Sequence, residues 1–331
     1  MVEGAIKGLA ASIGDDYTMY LSPEENERSG EDLAGTFSGV GIELGYKDGI
    51  LAAITPLPDS PAAKAGVQAG DLILRVKDAS RDFDENTDGW SLDRAIDEIR
   101  GPKGTTVTLT LYREDNGNKP FEVEIVRDDV VVKSAELEFV PVGGGEVAHI
   151  SLMRFGGHTD EEWEELIRQI QRRQPPVKGV VLDMRNNPGG FFDGAIRVAS
   201  EFVDNGVIVK QQGKYSTESY EASGPARLKG LPVVVLVNQG SASASEIVAG
   251  ALRDRLGVKL VGEQTFGKGT VQDRRELPDG GGLHVTIARW LLPGGSSIQD
   301  EGIPVDIEAE DDVETEDVDE ALQEAIGVLS Q

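Results

Sequence analysis

Three serines spaced by single alanines, Ser241-Ala242-Ser243-Ala244-Ser245, follow the apolar run Val233–Val237, and a glycine-flanked lysine comes later in Gly267-Lys268-Gly269-Thr270-Val271-Gln272. A serine hydroxyl attacks an amide at neutral pH only when another group takes its proton. Histidine is the usual acceptor, but the chain has three histidines and none lies in a motif. A lysine can take that role if burial lowers its pKa; a shift from ~10.4 to about 7.5 costs roughly 4 kcal/mol. Ser243 and Lys268 are therefore the candidate nucleophile and base of a serine–lysine dyad. Gln272 stands four residues after Lys268, on the same face if the segment is extended, where it would orient the lysine or simply line a surface strand.

The acyl chemistry also needs donors for a developing oxyanion. Ser243 is placed at or just inside a helix start, where backbone N–H groups are unpaired and carry partial positive charge, so Ala244 N–H is one candidate. Asp183-Met184-Arg185-Asn186-Asn187-Pro188-Gly189-Gly190 ends an apolar strand in a glycine turn, so Gly189 or Gly190 would supply the second. Each signal has a plain structural reading. Serine is a good helix cap and alanine a good helix former; glycine pairs are common in turns.

Gly262-Glu263-Gln264-Thr265-Phe266-Gly267-Lys268 has the spacing of a phosphate-binding loop, but Gly269 stands where serine or threonine would hold magnesium. A strand pattern follows instead of a helix, so no helix N-terminus would cradle phosphates. His149, His158 and His284 have no metal-ligand spacing, and no metal or other cofactor is expected.

The elements that position these residues alternate. Helical spacing covers 2–13, and Leu21-Ser22-Pro23-Glu24-Glu25 reads as a helix start with Ser22 as cap. A β-rich stretch follows, with strands at 40–44, 50–54, 72–76, 106–111 and 121–125 and helices at 61–65 and 91–99. Beyond it, strands at 147–153, 180–184, Val233–Val237 and 258–261 alternate with helices at 159–171, capped by Thr159, 191–202 and 243–256. That order predicts an α/β layer architecture. Strands at 271–277 and 283–292 flank Pro278-Asp279-Gly280-Gly281-Gly282. An acidic run, 308–316, leads into an amphipathic helix at 318–329. The resulting division is a helical cap at 1–34, a β-rich domain at 35–130, an α/β core at 131–310 and an acidic tail with a short helix at 311–331.

Composition bounds the function. The 331 residues suffice for two cores. A net charge of -27 repels nucleic acid. There is no cysteine, so disulfides and thiolate metal sites are excluded. No apolar stretch approaches the ~20 residues of a membrane span, and Met1-Val2-Glu3-Gly4 does not begin a signal peptide.

The motifs together resemble the carboxyl-terminal processing, or tail-specific, proteases over nearly the whole chain. Gly14-Asp15-Asp16-Tyr17-Thr18 with Tyr20-Leu21-Ser22-Pro23 is similar to the family's leader motif, with Asp16 in place of the usual proline. Phe37-Ser38-Gly39-Val40-Gly41-Ile42, Ser60-Pro61-Ala62-Ala63-Lys64-Ala65-Gly66 and Ala69-Gly70-Asp71 resemble its PDZ domain. Residues 183–190, 238–246 and 262–272, with Pro293-Gly294-Gly295 and Gly302-Ile303-Pro304-Val305-Asp306, resemble its protease core.

The resemblance implies an α/β core of crotonase- or ClpP-like sheets and helices carrying an inserted PDZ domain. It implies a serine endopeptidase with Ser243 as nucleophile, Lys268 as base and Gln272 in support, and Ala244 with Gly189 or Gly190 as oxyanion hole. Gly39, Val40, Gly41 and Ile42 would capture a substrate's terminal carboxylate through backbone N–H groups, and Arg100 would relay capture to the core. The implied partners are proteins or peptides with apolar C-termini and, in assembled forms, further copies of the chain. The implied location is extracytoplasmic. Two alternatives stay open: an inactive or latent PDZ adaptor, and an acyl-transfer or hydratase enzyme on the crotonase-like core.

Overall fold

Val233–Val237 forms a central strand whose alternate residues serve two cores: Val235 and Val237 pack on one side, Val234 and Leu236 on the other. Apolar side chains on both faces are what a parallel strand covered above and below requires. The computed structural model describes residues 2–114, 119–310 and 318–329. Among these, Gly35–Val132 is one compact unit, and the residues before and after it form another.

The larger unit is built on a six-stranded sheet in the order Ala135–Val142, Gly145–Leu152, Val180–Asp183, Val233–Val237, Lys259–Gly262, Ile307–Glu308. The first pair is antiparallel and the other neighbours are parallel. On one face lie the helices Thr159–Arg172, Phe192–Ser200 and Ala244–Leu256, contributing Trp163, Ile167, Ala195, Val198, Ile247 and Val248 to the main core. On the other face Ala321 and Ala325 of the Glu320–Leu329 helix meet Val147, Val181, Val234, Leu236 and Val261. The tail helix thus belongs to this unit, while the acidic run from 311 to 316 lies outside the described residues.

A second sheet of the same unit orders Met19–Leu21, Gly282–Leu291, Val207–Gly213 and Thr217–Glu221, with Thr270–Glu276 also on Gly282–Leu291. The N-terminal helices Val2–Ala11 and Pro23–Ala34 flank its first strand. Ser22 caps the second of these as its sequence suggests: Glu25 N–H donates to Ser22 Oγ, and Ser22 N–H to Glu25 Oε2 at 2.8 Å.

The smaller unit carries the sheet Ile42–Lys47, Ile50–Pro56, Leu72–Asp78, Thr106–Tyr112, Phe121–Val126, with Phe83–Asn86 on Leu72–Asp78. Its helices are Pro61–Lys64 and Leu92–Ile99, capped by Ser60 and Ser91. Thr36–Gly39 pairs with Asp128–Val131, so the chain enters and leaves the unit through one two-stranded ribbon.

Two local expectations are corrected, and some elements went unread. The strand expected at 40–44 starts at Ile42, because Gly41 turns the chain at φ +73°. Thr159 does not cap its helix; it lies inside the first turn, and its hydroxyl accepts the Gly156 N–H at 2.8 Å. The hairpin Val207–Gly213 with Thr217–Glu221 escapes the sequence pattern because most of its residues are polar, and the strand Ala135–Val142, mostly apolar but incompletely buried, escapes it too.

Candidate active site

Ser243 is the N-cap of the Ala244–Leu256 helix, which begins six residues after the strand Val233–Val237. Its φ of 56° and ψ of -112° lie outside the regions an L-residue favours, a strain of order 1–3 kcal/mol that surrounding contacts must hold. The neighbouring serines supply part of that support. Ser241 Oγ donates to Met184 O at 2.7 Å, and Ser245 Oγ donates to Asn187 O at 2.8 Å. Both are fully buried, whereas Ser243 stays partly exposed. Two serines of the cluster bind the helix start to the 184–187 turn, and the middle one faces out.

The turn is fastened in return. Asn186, at φ 57°, exchanges side-chain bonds with Asn238, and Asn187 Nδ2 donates to Leu152 O at 2.7 Å. A Cβ on Gly189 would stand 2.8 Å from Ser243 Cβ and 2.9 Å from Ala244 N, so only glycine brings this backbone so near the serine. The two glycines separate in role. Gly189 N–H donates to Asn187 Oδ1 at 2.9 Å. Gly190 bridges Phe155 through its neighbours, Phe155 N–H to Gly189 O and Phe191 N–H to Phe155 O, which turns its own N–H away from that pairing. Of the two glycines, Gly189 thus has its N–H engaged, and Ala244 stands at the first helical position.

Lys268 is held by its backbone. Its N–H donates to Glu246 Oε2 at 3.0 Å, and its carbonyl accepts the Trp290 indole N–H at 2.9 Å. Gly267, at φ +94°, and Gly269 flank it; a Cβ on either would crowd the backbone of 298–302. Asp300 N–H donates to Gly267 O at 2.9 Å, and Gly269 N–H donates to Gln299 Oε1 at 2.9 Å. Burial pushes the Lys268 ammonium below its ordinary value, with the Glu246 carboxylate pulling the other way. The net direction is the one a general base needs.

Glu246 is the residue that sequence reasoning passed over. It is fully buried. Oε2 accepts the Ser243 N–H at 2.7 Å as well as that of Lys268, while Oε1 accepts the Thr265 hydroxyl at 2.6 Å and the Gly267 N–H at 2.7 Å. One carboxylate thereby fixes the serine turn against the lysine turn. Burial raises its pKa, and these donors hold the rise back. Its signal was present: Ser243-Ala244-Ser245-Glu246 is a capping-box pattern.

Gln272 does not share an extended face with Lys268. The strand starts at Thr270, after the lysine, and a bulge between Val271 and Gln272 breaks the alternation. Gln272 Nε2 donates to Thr270 Oγ1 at 2.8 Å and Thr286 Oγ1 at 3.4 Å. His149 bonds to Asp183 across 3.2 Å; this pair adjoins Arg185, which also binds Asp319.

Within the smaller unit, Gly39 ends one strand and Ile42 starts the edge strand Ile42–Lys47. Between them Val40 O accepts the Ala62 N–H and Gly41 O the Leu57 N–H, each at 2.9 Å. Gly41 cannot carry a Cβ, which would lie 2.4 Å from Ser60 Cβ. The Leu92–Ile99 helix packs near this edge strand. Arg100, at the helix C-terminus, lays its guanidinium over the Phe37 ring at 4.2 Å.

Residues 146–309 match the model of peptidase family S41, and residues 55–113 match that of a PDZ domain. A carboxy-terminal-processing protease of Bartonella bacilliformis is 38% identical over 94% of the chain and 70% of its own length. The carboxy-terminal processing protease CtpA of Bacillus subtilis is 36% identical over 94% of the chain, which spans 64% of that protein. Among solved structures, a photosystem II D1 C-terminal processing protease aligns over 99% of the chain and 86% of its own, with a TM-score of 0.58 and 31% identity.

Proposed function

Given that the chain belongs to peptidase family S41 and carries a PDZ domain, we propose that it captures the C-termini of proteins and cleaves them with a Ser243–Lys268 dyad. The observation that carries this reading is the Glu246 carboxylate. It gathers the backbone N–H groups of Ser243 and Lys268 on one oxygen, so the turn of a strained, half-buried serine meets the turn of a desolvated lysine.

In the proposed reaction, neutral Lys268 takes the proton of Ser243 Oγ as that oxygen bonds to the scissile carbonyl carbon. The carbonyl oxygen becomes an oxyanion facing the N–H groups of Ala244 and Gly190. Protonated Lys268 then gives its proton to the departing amine, the C–N bond breaks, and an acyl-enzyme remains. Water, deprotonated by the same lysine, releases it. Gln272 acts through the Thr270 and Thr286 hydroxyls, helping to fix the strand beside the lysine.

Capture uses the smaller unit. A terminal carboxylate would meet the Gly39-Val40-Gly41-Ile42 turn, and the peptide would add as a strand on Ile42–Lys47, with an apolar last residue toward the Leu92–Ile99 helix. Arg100, stacked on Phe37 beside that turn, is the proposed relay. Among the described residues no helix is long and apolar enough to cross a membrane. The family reading suggests work outside the cytoplasm.

The test is cleavage of a disordered peptide ending in two alanines, with a free or an amidated C-terminus. Wild type is expected to cleave the free form faster, and Ser243→Ala and Lys268→Ala to cleave neither. Because the neutral lysine is the active form, kcat/KM rises with pH through a pKa below the ordinary lysine value. A flat profile from about pH 6 to 9 would count against Lys268 as base. Binding of the peptide without labelling of Ser243 by a fluorophosphonate would favour the adaptor reading.

A further inference from the structure

The hydrogen bonds of Lys268 among the described residues are made by its backbone. Its ammonium instead lies over the face of Tyr17, 5.0 Å from the ring centroid. Tyr17 comes from the other end of the sequence, between the first helix and the strand Met19–Leu21, and it is half-buried. Its place is well fixed. Thr18 is buried, its hydroxyl bonds to Asp15 and accepts the Thr286 N–H at 3.1 Å, and Met19 pairs with His284. Gln299, the side chain that also binds the Gly269 N–H, lies near enough to the Tyr17 hydroxyl to oppose the rise in its pKa from burial.

We propose that Tyr17 is a positioning residue for the base: its ring face holds the Lys268 side chain and stabilises the ammonium formed when Ser243 gives up its proton. The proposal rests on the reading of Lys268 as base. Its physical ground is the negative face of an aromatic ring, which attracts a cation most when water is excluded. Burial opposes charging of the lysine, and two features favour it, the Glu246 carboxylate and the Tyr17 face. The other ionisable groups nearby are His284 and Arg274, on the strands behind, with Asp16 and Asp300 beside Tyr17. His284 is itself held below its ordinary value by burial, then by Arg274 and Lys268.

The experiment compares pH profiles of kcat and KM for wild type, Tyr17→Phe and Tyr17→Leu on the free-terminus peptide, with thermal melting of each. Tyr17→Leu keeps apolar bulk but removes the ring, so the inflection should fall by roughly half a unit to one unit. Its kcat should drop about threefold to tenfold with KM little moved. Tyr17→Phe keeps the ring and should keep the wild-type inflection. An unmoved inflection in Tyr17→Leu, or the same shift in both variants, overturns the proposal while leaving the dyad intact. A wild type without any inflection, together with cleavage by Lys268→Ala, removes the base reading and this proposal with it.

Discussion

Glu246 Oε2 accepts the Ser243 N–H at 2.7 Å from only three residues along the helix that Ser243 starts. The same oxygen accepts the N–H of Lys268, 22 residues on. The proposed nucleophile and base are thus referenced to one rigid point, and neither side chain is used in making the link.

Glu246→Gln tests this clamp with almost no change in volume. The carboxylate accepts from four donors, so an amide NH2 would turn a donor toward at least one of them. A buried donor left unpaired costs about 1–3 kcal/mol. The variant is expected to melt earlier and to lose kcat by tenfold or more, with KM changed less. Wild-type kcat in a stably folded Glu246→Gln would show that the clamp does not position the dyad.

Gly189→Ala probes the approach of the 187–190 turn to the serine. The added methyl would meet Ser243 Cβ and Ala242 O, each at 2.8 Å, at a φ of +97° that an L-residue adopts with strain. Because backbone rather than a flexible side chain blocks the space, the turn or the helix start must move. A loss of kcat on the order of a hundredfold is expected, the scale of a lost oxyanion donor. Slower fluorophosphonate labelling of Ser243 should accompany it, and labelling at the wild-type rate would be the contrary result.

The smaller unit has its own buried pair. Arg127 and Asp78, both without side-chain exposure, meet at 2.8 Å, and Arg127 also donates to Ile99 O at the end of the Leu92–Ile99 helix. Burial alone would raise the Asp78 carboxyl, but hydrogen bonds from Ser80, Arg127 and Arg81 bring it down to about 2. A lowered pKa contributes stability above the ordinary value of 3.8, lost as pH falls toward about 2. Arg127→Met, which leaves the buried carboxylate with Arg81 and Ser80 alone, should cost up to about 3–5 kcal/mol, read as faster hydrogen exchange in Thr106–Tyr112 and Phe121–Val126. Restoring exchange to wild-type rates in Arg127→Met/Asp78→Leu would confirm that the pair, and not arginine packing, is responsible.

Much of the candidate site was legible because its signals are local. A serine between two alanines after a buried strand, and a lysine between two glycines, are readable within a few residues. Glu246 was half legible: its capping-box spacing can be read, but its bonds to Thr265, Gly267 and Lys268 exist only once two segments meet. Gln272 was misplaced by an alternation rule that a single bulge defeats. Gly189 and Gly190 look alike in sequence, and only the Asn187 side chain tells them apart. Arg127 gave no sign at all, since its partner lies 49 positions earlier and nothing in the sequence marks either as buried.

The lysine turn leans on the segment 298–303, through Asp300, Gln299 and the Ile303 N–H that bonds to Thr265 Oγ1 at 2.7 Å. Synthesis runs from the N-terminus, so a growing chain displays Lys268 before it owns the residues that seat its turn. The order of manufacture therefore acts as a delay: the proposed base is made first, and the mount for its turn follows about thirty residues later.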